Sequence, residues 1–213
     1  MNVNRVYASL LSAYGPQGWW PMQNAFKPAE FEVCIGAILT QNTNWKNVER
    51  ALCLMKEKGI TTPKDILEAD ACTLEEAVRP SGYFRQKAER LRIFTEFVIS
   101  FGGFGSFRDS VTREQLLSVK GLGPETVDSI LLYALGRKSF VIDAYTRRIF
   151  TRLGVPDKKG YEDWRRFFEN NTDGDAQTYR EFHALIVEHA KGFCRAKPLC
   201  SNCFLSHKCK KVI

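Results

Sequence analysis

The sequence predicts an all-α fold, and two observations support this prediction. Apolar residues recur at helical spacing in three long segments, at 44–57, 86–101 and 176–193. No long run alternates between apolar and polar residues, and the strand-like fragment SFVID at 139–143 is too short to build a sheet. Where Pro and Gly interrupt the helical spacing between the first two segments, shorter helices are expected.

The composition is that of a globular protein with an anionic partner. Of the 213 residues, 44% are apolar and 26% are charged, which argues against disorder. The net charge of +7 favours an anionic partner such as nucleic acid. No segment reaches the ~18 apolar residues that span a bilayer. The N-terminus lacks the basic start and apolar block of a signal peptide. We therefore expect an intracellular protein, in the cytoplasm or on the nucleoid.

The segment KGLGPET at 120–126 combines a glycine turn with the start of a helix. Gly121 and Gly123 are expected to form a tight turn with positive φ and to leave backbone N–H groups uncovered. Pro124 suits the first turn of the following helix, where its missing N–H costs nothing. Such a helix start can bind a phosphate without reading base sequence. A helix–turn–helix connection that serves only packing would show the same pattern.

Asp143 follows the apolar residues of SFVID and precedes AYTRRIFTRLG. Aspartate is favoured as an N-cap, so Asp143 is expected to begin a helix. Alternatively, it is a functional carboxylate that is held at a helix start beside bound DNA. Arg147, Arg148 and Arg152 follow in the same helix and suit either phosphate contacts or a solvated basic face.

Four cysteines lie close together in CRAKPLCSNCFLSHKC at 194–209. They are Cys194, Cys200, Cys203 and Cys209, spaced C-x5-C-x2-C-x5-C. Four thiolates at this spacing can hold one metal centre, and the spacing alone leaves an iron–sulfur cluster and zinc both open. Disulfides are not expected in an intracellular protein.

Together these residues resemble the endonuclease III superfamily of DNA repair glycosylases. The signature of that family is a helix–hairpin–helix followed by a Gly/Pro-rich loop and an aspartate, which VKGLGPETVDSILLYALGRKSFVID matches. The cysteine tail resembles the family's loop for a [4Fe-4S] cluster, although its first gap is one residue shorter. GAILTQNTNW resembles an early segment whose glutamine fills the space left by an extruded base, and this role maps onto Gln41.

The resemblance implies two helical lobes with DNA across the cleft. One is a six-helix barrel at 23–135 that carries the hairpin; the other comprises 1–22 and 136–213 and carries Asp143 and the cluster loop. The implied partner is double-stranded DNA with a damaged base, bound by a monomer. The implied DNA contacts come from Gln41, Gly121, Gly123, Glu125 and Arg147. The implied cofactor is a [4Fe-4S] cluster on the four tail cysteines, with zinc as the alternative.

Glu125 stands where bifunctional members of the family carry a lysine, two residues after the second hairpin glycine. That lysine attacks C1′ of the sugar and forms a Schiff base, which leads to strand cleavage. Because a carboxylate cannot form this imine, the resemblance implies a monofunctional glycosylase. Asp143 is then the catalytic residue, which stabilises the oxocarbenium charge, positions or deprotonates water, or both. Glu125 also suits the positive end of the helix dipole without any further role.

Three tryptophans, Trp19, Trp20 and Trp45, are expected to form a pocket for the base, although each also suits the core. GWWP, VRPSGY and the hairpin segment resemble the 3-methyladenine glycosylases of this superfamily. Their alkylated purine substrates are cationic, and an indole face attracts a cation by ~0.5–2 kcal/mol.

Three other functions stay open from the sequence. The first is an endonuclease III-type glycosylase and AP lyase on oxidised pyrimidines, against which Glu125 argues. The second is a non-catalytic DNA-binding module with a structural metal. The third is removal of mismatched or deaminated bases.

Overall fold

The computed structural model describes residues 2–20, 22 and 25–210, and it confirms the all-α prediction. No strand occurs among these residues. The chain divides into two compact units. The hairpin unit runs from Trp20 to Leu135, and the aspartate unit takes the chain up to Trp19 and from Gly136 onwards. The boundary expected between 22 and 23 falls beside Gln23, which lies outside the described residues.

Twelve α-helices are described. In chain order they are α1 (Val3–Tyr14), α2 (Ala29–Leu39), α3 (Trp45–Glu57), α4 (Pro63–Glu68), α5 (Ala71–Val78), α6 (Phe84–Ser100), α7 (Phe104–Ser110), α8 (Arg113–Ser118), α9 (Pro124–Ser129), α10 (Ala144–Arg152), α11 (Tyr161–Asn171) and α12 (Ala176–Gly192). Short 3₁₀ turns lie at Arg79–Ser81 and Cys200–Asn202, and a π-helical turn at Ile130–Ala134 continues α9. None of the helices within the described ranges is long and apolar enough to cross a membrane.

The hairpin unit is built around α2. Every residue of this helix from Phe31 to Leu39 is buried, as expected for a helix that is apolar on all sides. Helices α3, α6 and α9 contact α2. The buried ammonium of Lys87, in α6, donates to the Leu39 carbonyl at 2.8 Å and to the Ser81 carbonyl at 2.6 Å. Lys87 therefore fixes α6 to the end of α2.

Helices α8 and α9 are joined by a buried ion pair as well as by the hairpin loop. Arg113 donates to both carboxylate oxygens of Asp128, from Nε at 2.7 Å and from Nη2 at 3.0 Å. Asp128 is completely buried. Breaking a buried pair of this kind by removing one partner typically costs about 3–5 kcal/mol, so this contact strongly favours one arrangement of the two hairpin helices.

The aspartate unit has an aromatic core beneath α12, which contacts α1 and α10. The rings of Phe140 and Phe168 stack with centroids 4.4 Å apart, and Phe182 packs edge-on to Phe140 at 5.6 Å. The fragment SFVID is neither helix nor strand, and its apolar residues are buried. This packing places Asp143 at the start of α10.

Candidate functional site

The hairpin loop joins α8 to α9, and only one of its two glycines has a positive φ. Gly121 has a φ of +90°, and a Cβ built on it would lie 2.7 Å from Arg90 Cγ. Gly123 has a φ of −88° and a ψ of 168°, which any residue adopts, and it is the N-cap of α9. The expectation of a positive φ at Gly123 is therefore wrong. Both glycines are exposed, and a Cβ on Gly123 would meet nothing within 4 Å.

Gln41, which the sequence predicts to fill the space of an extruded base, is bonded to the hairpin. Its amide nitrogen donates to the Gly121 carbonyl and to Thr126 Oγ1, both at 3.0 Å. Its amide oxygen accepts from Arg90 Nη1 at 2.5 Å. The structure thus brings Gln41 and Gly121 together. Arg90 and Thr126 complete the contact, and sequence analysis missed both because neither carries a local signal.

Glu125 lies in the first turn of α9 and is exposed. The amine nearest to it in the hairpin sequence is that of Lys120, which is also exposed. Lys120 Nζ forms an ion pair with Glu89 at 2.8 Å. The hairpin therefore presents a carboxylate at position 125, while the amine before the hairpin is held by α6.

Asp143 is the N-cap of α10, as its position in the sequence predicts. Its Oδ1 accepts from the Thr146 backbone N–H at 2.6 Å, and its Oδ2 lies 3.5 Å from His183 Nε2. The Asp143 side chain is 14% exposed. Burial acts to raise the pKa of Asp143, but the His183 imidazole and the Thr146 amide outweigh burial and leave this pKa below its ordinary value. Asp143 is therefore ionised at neutral pH.

His183 is a contact of Asp143 that sequence analysis did not identify. It belongs to α12, is 6% exposed, and also lies edge-on to the indole of Trp19, with centroids 6.1 Å apart. No local pattern shows its link to Asp143, because the two residues belong to helices that only the fold brings together.

The three arginines of α10 differ in their surroundings. Arg148 Nε donates to the Cys194 carbonyl at 2.8 Å. Arg152 is buried and donates to the carbonyls of Arg195 at 2.6 Å and Ala196 at 3.1 Å. Arg152 is therefore bonded to the cysteine loop, and Arg148 contacts the same loop through Nε. Arg147 is half-buried in the first turns of the helix.

The four tail cysteines surround one cavity in the aspartate unit. Its lining includes the four thiols together with Arg152, His189 and Phe193. Burial raises the pKa of the Cys203 thiol, and the other three tail thiols raise it further. Arg152 Nη1 lies 3.4 Å from Cys194 Sγ and brings a positive charge to the group. Among the described residues, no three His, Cys, Asp or Glu side chains are grouped closely enough to hold a single metal ion.

The predicted tryptophans belong to different units. In the hairpin unit, Trp20 lies edge-to-face with Trp45 at 5.1 Å and tilted against Tyr133 at 4.8 Å. A Cβ on Gly36 would lie in ordinary van der Waals contact, 3.4 Å from an atom of each indole, so both rings pack over this part of α2. Trp45 also donates its indole N–H to a carboxylate oxygen of Glu49 at 3.0 Å.

Trp19 belongs to the aspartate unit, where it contacts His183. The ammonium of Lys191 lies 5.7 Å from the centroid of its ring. The structure therefore brings together Trp20 and Trp45 in one unit, and Trp19 and the Asp143 partner His183 in the other.

Known proteins with similar sequences and structures are DNA repair enzymes. A model of the HhH-GPD superfamily of base excision DNA repair proteins matches residues 35–173. A Methanocaldococcus jannaschii protein, provisionally named a DNA repair glycosylase, is 45% identical over 97% of this chain and 95% of its own length. Endonuclease III of Sulfolobus acidocaldarius is 28% identical over 84% of this chain and 81% of its own length.

Two solved structures extend this similarity. The 3-methyladenine DNA glycosylase of H. pylori, bound to 1,N6-ethenoadenine, is 32% identical and superposes with a TM-score of 0.80. The match covers 90% of this chain and 98% of that chain. An endonuclease III–DNA complex superposes with the same TM-score of 0.80 over 98% of this chain and 94% of that chain. Its 19% identity shows a shared fold alone.

Proposed function

We propose a reaction for this chain, which belongs to the HhH-GPD superfamily of base excision DNA repair proteins and is a DNA glycosylase. It releases alkylated purines and leaves the DNA strand intact. The substrate class rests on the aromatic cluster of Trp20, Trp45 and Tyr133. The reaction type rests on Asp143 and Glu125.

The aromatic cluster suits a cationic base. A purine methylated at a ring nitrogen carries a positive charge, and an indole face attracts a cation by ~0.5–2 kcal/mol. The carboxylate of Glu49, bonded to the Trp45 indole, adds negative charge beside the cluster. The 32% identical H. pylori relative is named for 3-methyladenine and was solved with 1,N6-ethenoadenine, which supports a modified purine as the substrate of this chain.

The acid at position 143 is the group proposed to assist hydrolysis. A cationic base is already a good leaving group, so the bond electrons of C1′–N depart with the base. The ionised Asp143 then stabilises the positive charge that develops on the sugar. The same carboxylate orients the water that attacks C1′ and accepts its proton. The lowered pKa keeps Asp143 ionised, which suits stabilisation of the positive sugar more than acceptance of a proton.

The hairpin is proposed to hold the DNA and to leave the strand uncut. Its exposed N–H groups at Gly121 and Gly123 would bind backbone phosphate. Arg147 of the aspartate unit is a further proposed DNA contact. Glu125 cannot form a Schiff base with the sugar, and Lys120 lies before the hairpin rather than at the position of the family's lysine. Removing the base from the stack costs a few kcal/mol. Gln41 would fill the space that the extruded base leaves.

A [4Fe-4S] cluster on the four tail cysteines is the proposed cofactor. The thiols line one cavity beside the guanidinium of Arg152, which stabilises thiolate ligands over thiols. When bound, the cluster supplies iron–thiolate bonds that hold the loop in one conformation. Metal analysis of the purified protein tests this proposal. About four irons per chain are expected, whereas one zinc per chain would mean that the cysteines hold zinc instead of the cluster.

Base release from methylated duplex DNA tests the function. Wild-type protein should release 3-methyladenine or 7-methylguanine, identified by chromatography of the free bases. 1,N6-Ethenoadenine is a second purine to test, and thymine glycol represents the oxidised pyrimidines. Release of thymine glycol together with a borohydride-trapped adduct would instead make this chain a glycosylase with lyase activity.

A further inference from the structure

We propose that Arg90 is a positioning residue for Gln41. Through this contact, Arg90 couples phosphate binding by the hairpin to filling of the space left by the extruded base. This inference rests on the role of Gln41 in the proposed function. It concerns only the hairpin unit, in which helix α6 and the hairpin both contact the side chain of Gln41, in the loop after α2.

Every polar group of the Gln41 amide has a partner. Its two N–H donors bond to Gly121 O and Thr126 Oγ1, and its oxygen accepts from Arg90. An amide rotated by 180° would turn its NH₂ group toward the guanidinium, which only donates. Arg90 therefore selects the one amide orientation in which Gln41 is bonded to the hairpin.

Arg90 reaches Gln41 by crossing the face of Gly121. A Cβ at position 121 would lie 2.7, 2.8 and 2.9 Å from Arg90 Cγ, Nε and Cδ, so the arginine occupies the space that a side chain would need. A buried contact also fixes α6 at this place, since Lys87 bonds to the carbonyl of Leu39 at the end of α2. These contacts fix the distance between Gln41 and the hairpin loop.

This arrangement matters only where there is a space in a base stack to fill. In duplex DNA the extruded base leaves such a space opposite its partner, whereas a base in single-stranded DNA does not. Loss of Arg90 should therefore impair excision from duplex DNA and spare excision of the same lesion from a single strand. General damage to the fold would instead lower both rates equally.

The test compares kcat/KM on the two substrates for Arg90→Met, which keeps the length of the side chain and removes the guanidinium. We expect about a tenfold loss on duplex DNA, the size of a lost charged hydrogen bond, and a change of less than about twofold on the single strand. Adding Gln41→Ala to this variant should cause little further loss, because the two residues act as one unit. Arg90→Lys keeps one donor and should recover part of the duplex rate.

Arg92→Met is the matched control. Arg92 lies on the same helix and its guanidinium is likewise hydrogen-bonded, but to the main-chain carbonyls of Leu67 and Ala69 rather than to Gln41. Its loss should change the two rates by the same factor. A duplex-selective loss in Arg92→Met, or an equal loss on both substrates in Arg90→Met, would overturn the positioning role.

A binding measurement separates this inference from the proposed chemistry. A duplex with a tetrahydrofuran abasic-site analogue opposite 2-aminopurine reports filling of the space without any base release. Saturating wild-type protein should change the 2-aminopurine fluorescence, and saturating Arg90→Met should leave it near that of free DNA. If wild type releases no alkylpurine, the substrate assignment fails while this signal still decides the role of Arg90. Equal signals from both proteins would contradict that role.

Discussion

Asp143 caps α10 with one carboxylate oxygen and lies beside His183 with the other. The lowered pKa of Asp143 has two consequences. The folded protein gains stability above the ordinary pKa of aspartate, and this stability is lost as the pH falls through the lowered value. If the ionised form is active, excision should also persist into mildly acidic solution and fall as the carboxylate is protonated.

Replacement of His183 tests whether this residue lowers the pKa of Asp143. His183→Leu removes the partner and leaves burial to act, so the pKa of Asp143 should rise. The acid limb of the kcat–pH profile should then move to higher pH. His183→Gln keeps a hydrogen-bond donor beside Asp143 and should show a smaller shift. A profile that keeps its acid limb in His183→Leu, with only its height lowered, would mean that His183 serves packing alone.

The two hairpin glycines are predicted to differ in stability when replaced. Gly121→Ala places a side chain at a φ of +90° and against Arg90, which should lower the free energy of unfolding by about 1–2 kcal/mol. Gly123→Ala changes only an N-cap at an ordinary φ and should cost about 0.5 kcal/mol. Urea denaturation measures both values. Equal losses would mean that the backbone at 121 does not require glycine.

At the level of elements, α10 connects the proposed acid to the cysteine loop. Its N-terminus is capped by Asp143, and Arg152 in its last turn bonds to the carbonyls of Arg195 and Ala196. Arg152→Met should release the loop and lower the iron content of the purified protein by at least about half, because several charged hydrogen bonds are lost. Iron analysis and visible absorbance measure this.

The exposed Arg166 of α11, which pairs with Asp163, is the matched control. Arg166→Met should keep its full iron content, since exposed ion pairs contribute little to stability. Full iron content in Arg152→Met as well would show that the cysteines hold the loop without help from α10.

At the scale of the whole molecule, the sequence predicts the helical class because its apolar spacing has a period that only helices share. It also predicts Asp143 as an N-cap, since local chemistry decides that position. It could not predict that Arg90 contacts Gln41 or that His183 contacts Asp143. Those pairs are 49 and 40 positions apart and meet only through tertiary packing.

One local expectation was wrong. Gly123 needs no positive φ, because the turn is closed at Gly121 and Gly123 already begins α9. The contacts of Arg148 and Arg152 were not predictable: both suit phosphate by charge, and the fold brings both to carbonyls of the cysteine loop. Charge and residue type indicate what a side chain can bind, whereas its partner depends on which segments pack beside it.

This chain is proposed to break the glycosidic bond of an alkylated purine and to leave the sugar–phosphate backbone intact. The most direct measurement follows both bonds on one end-labelled methylated duplex, with wild type and Asp143→Asn side by side. Wild type should release the free purine and give strand breaks only after alkali, and Asp143→Asn should do neither while still binding the duplex. Strand cleavage without alkali, or full release by Asp143→Asn, would contradict the account.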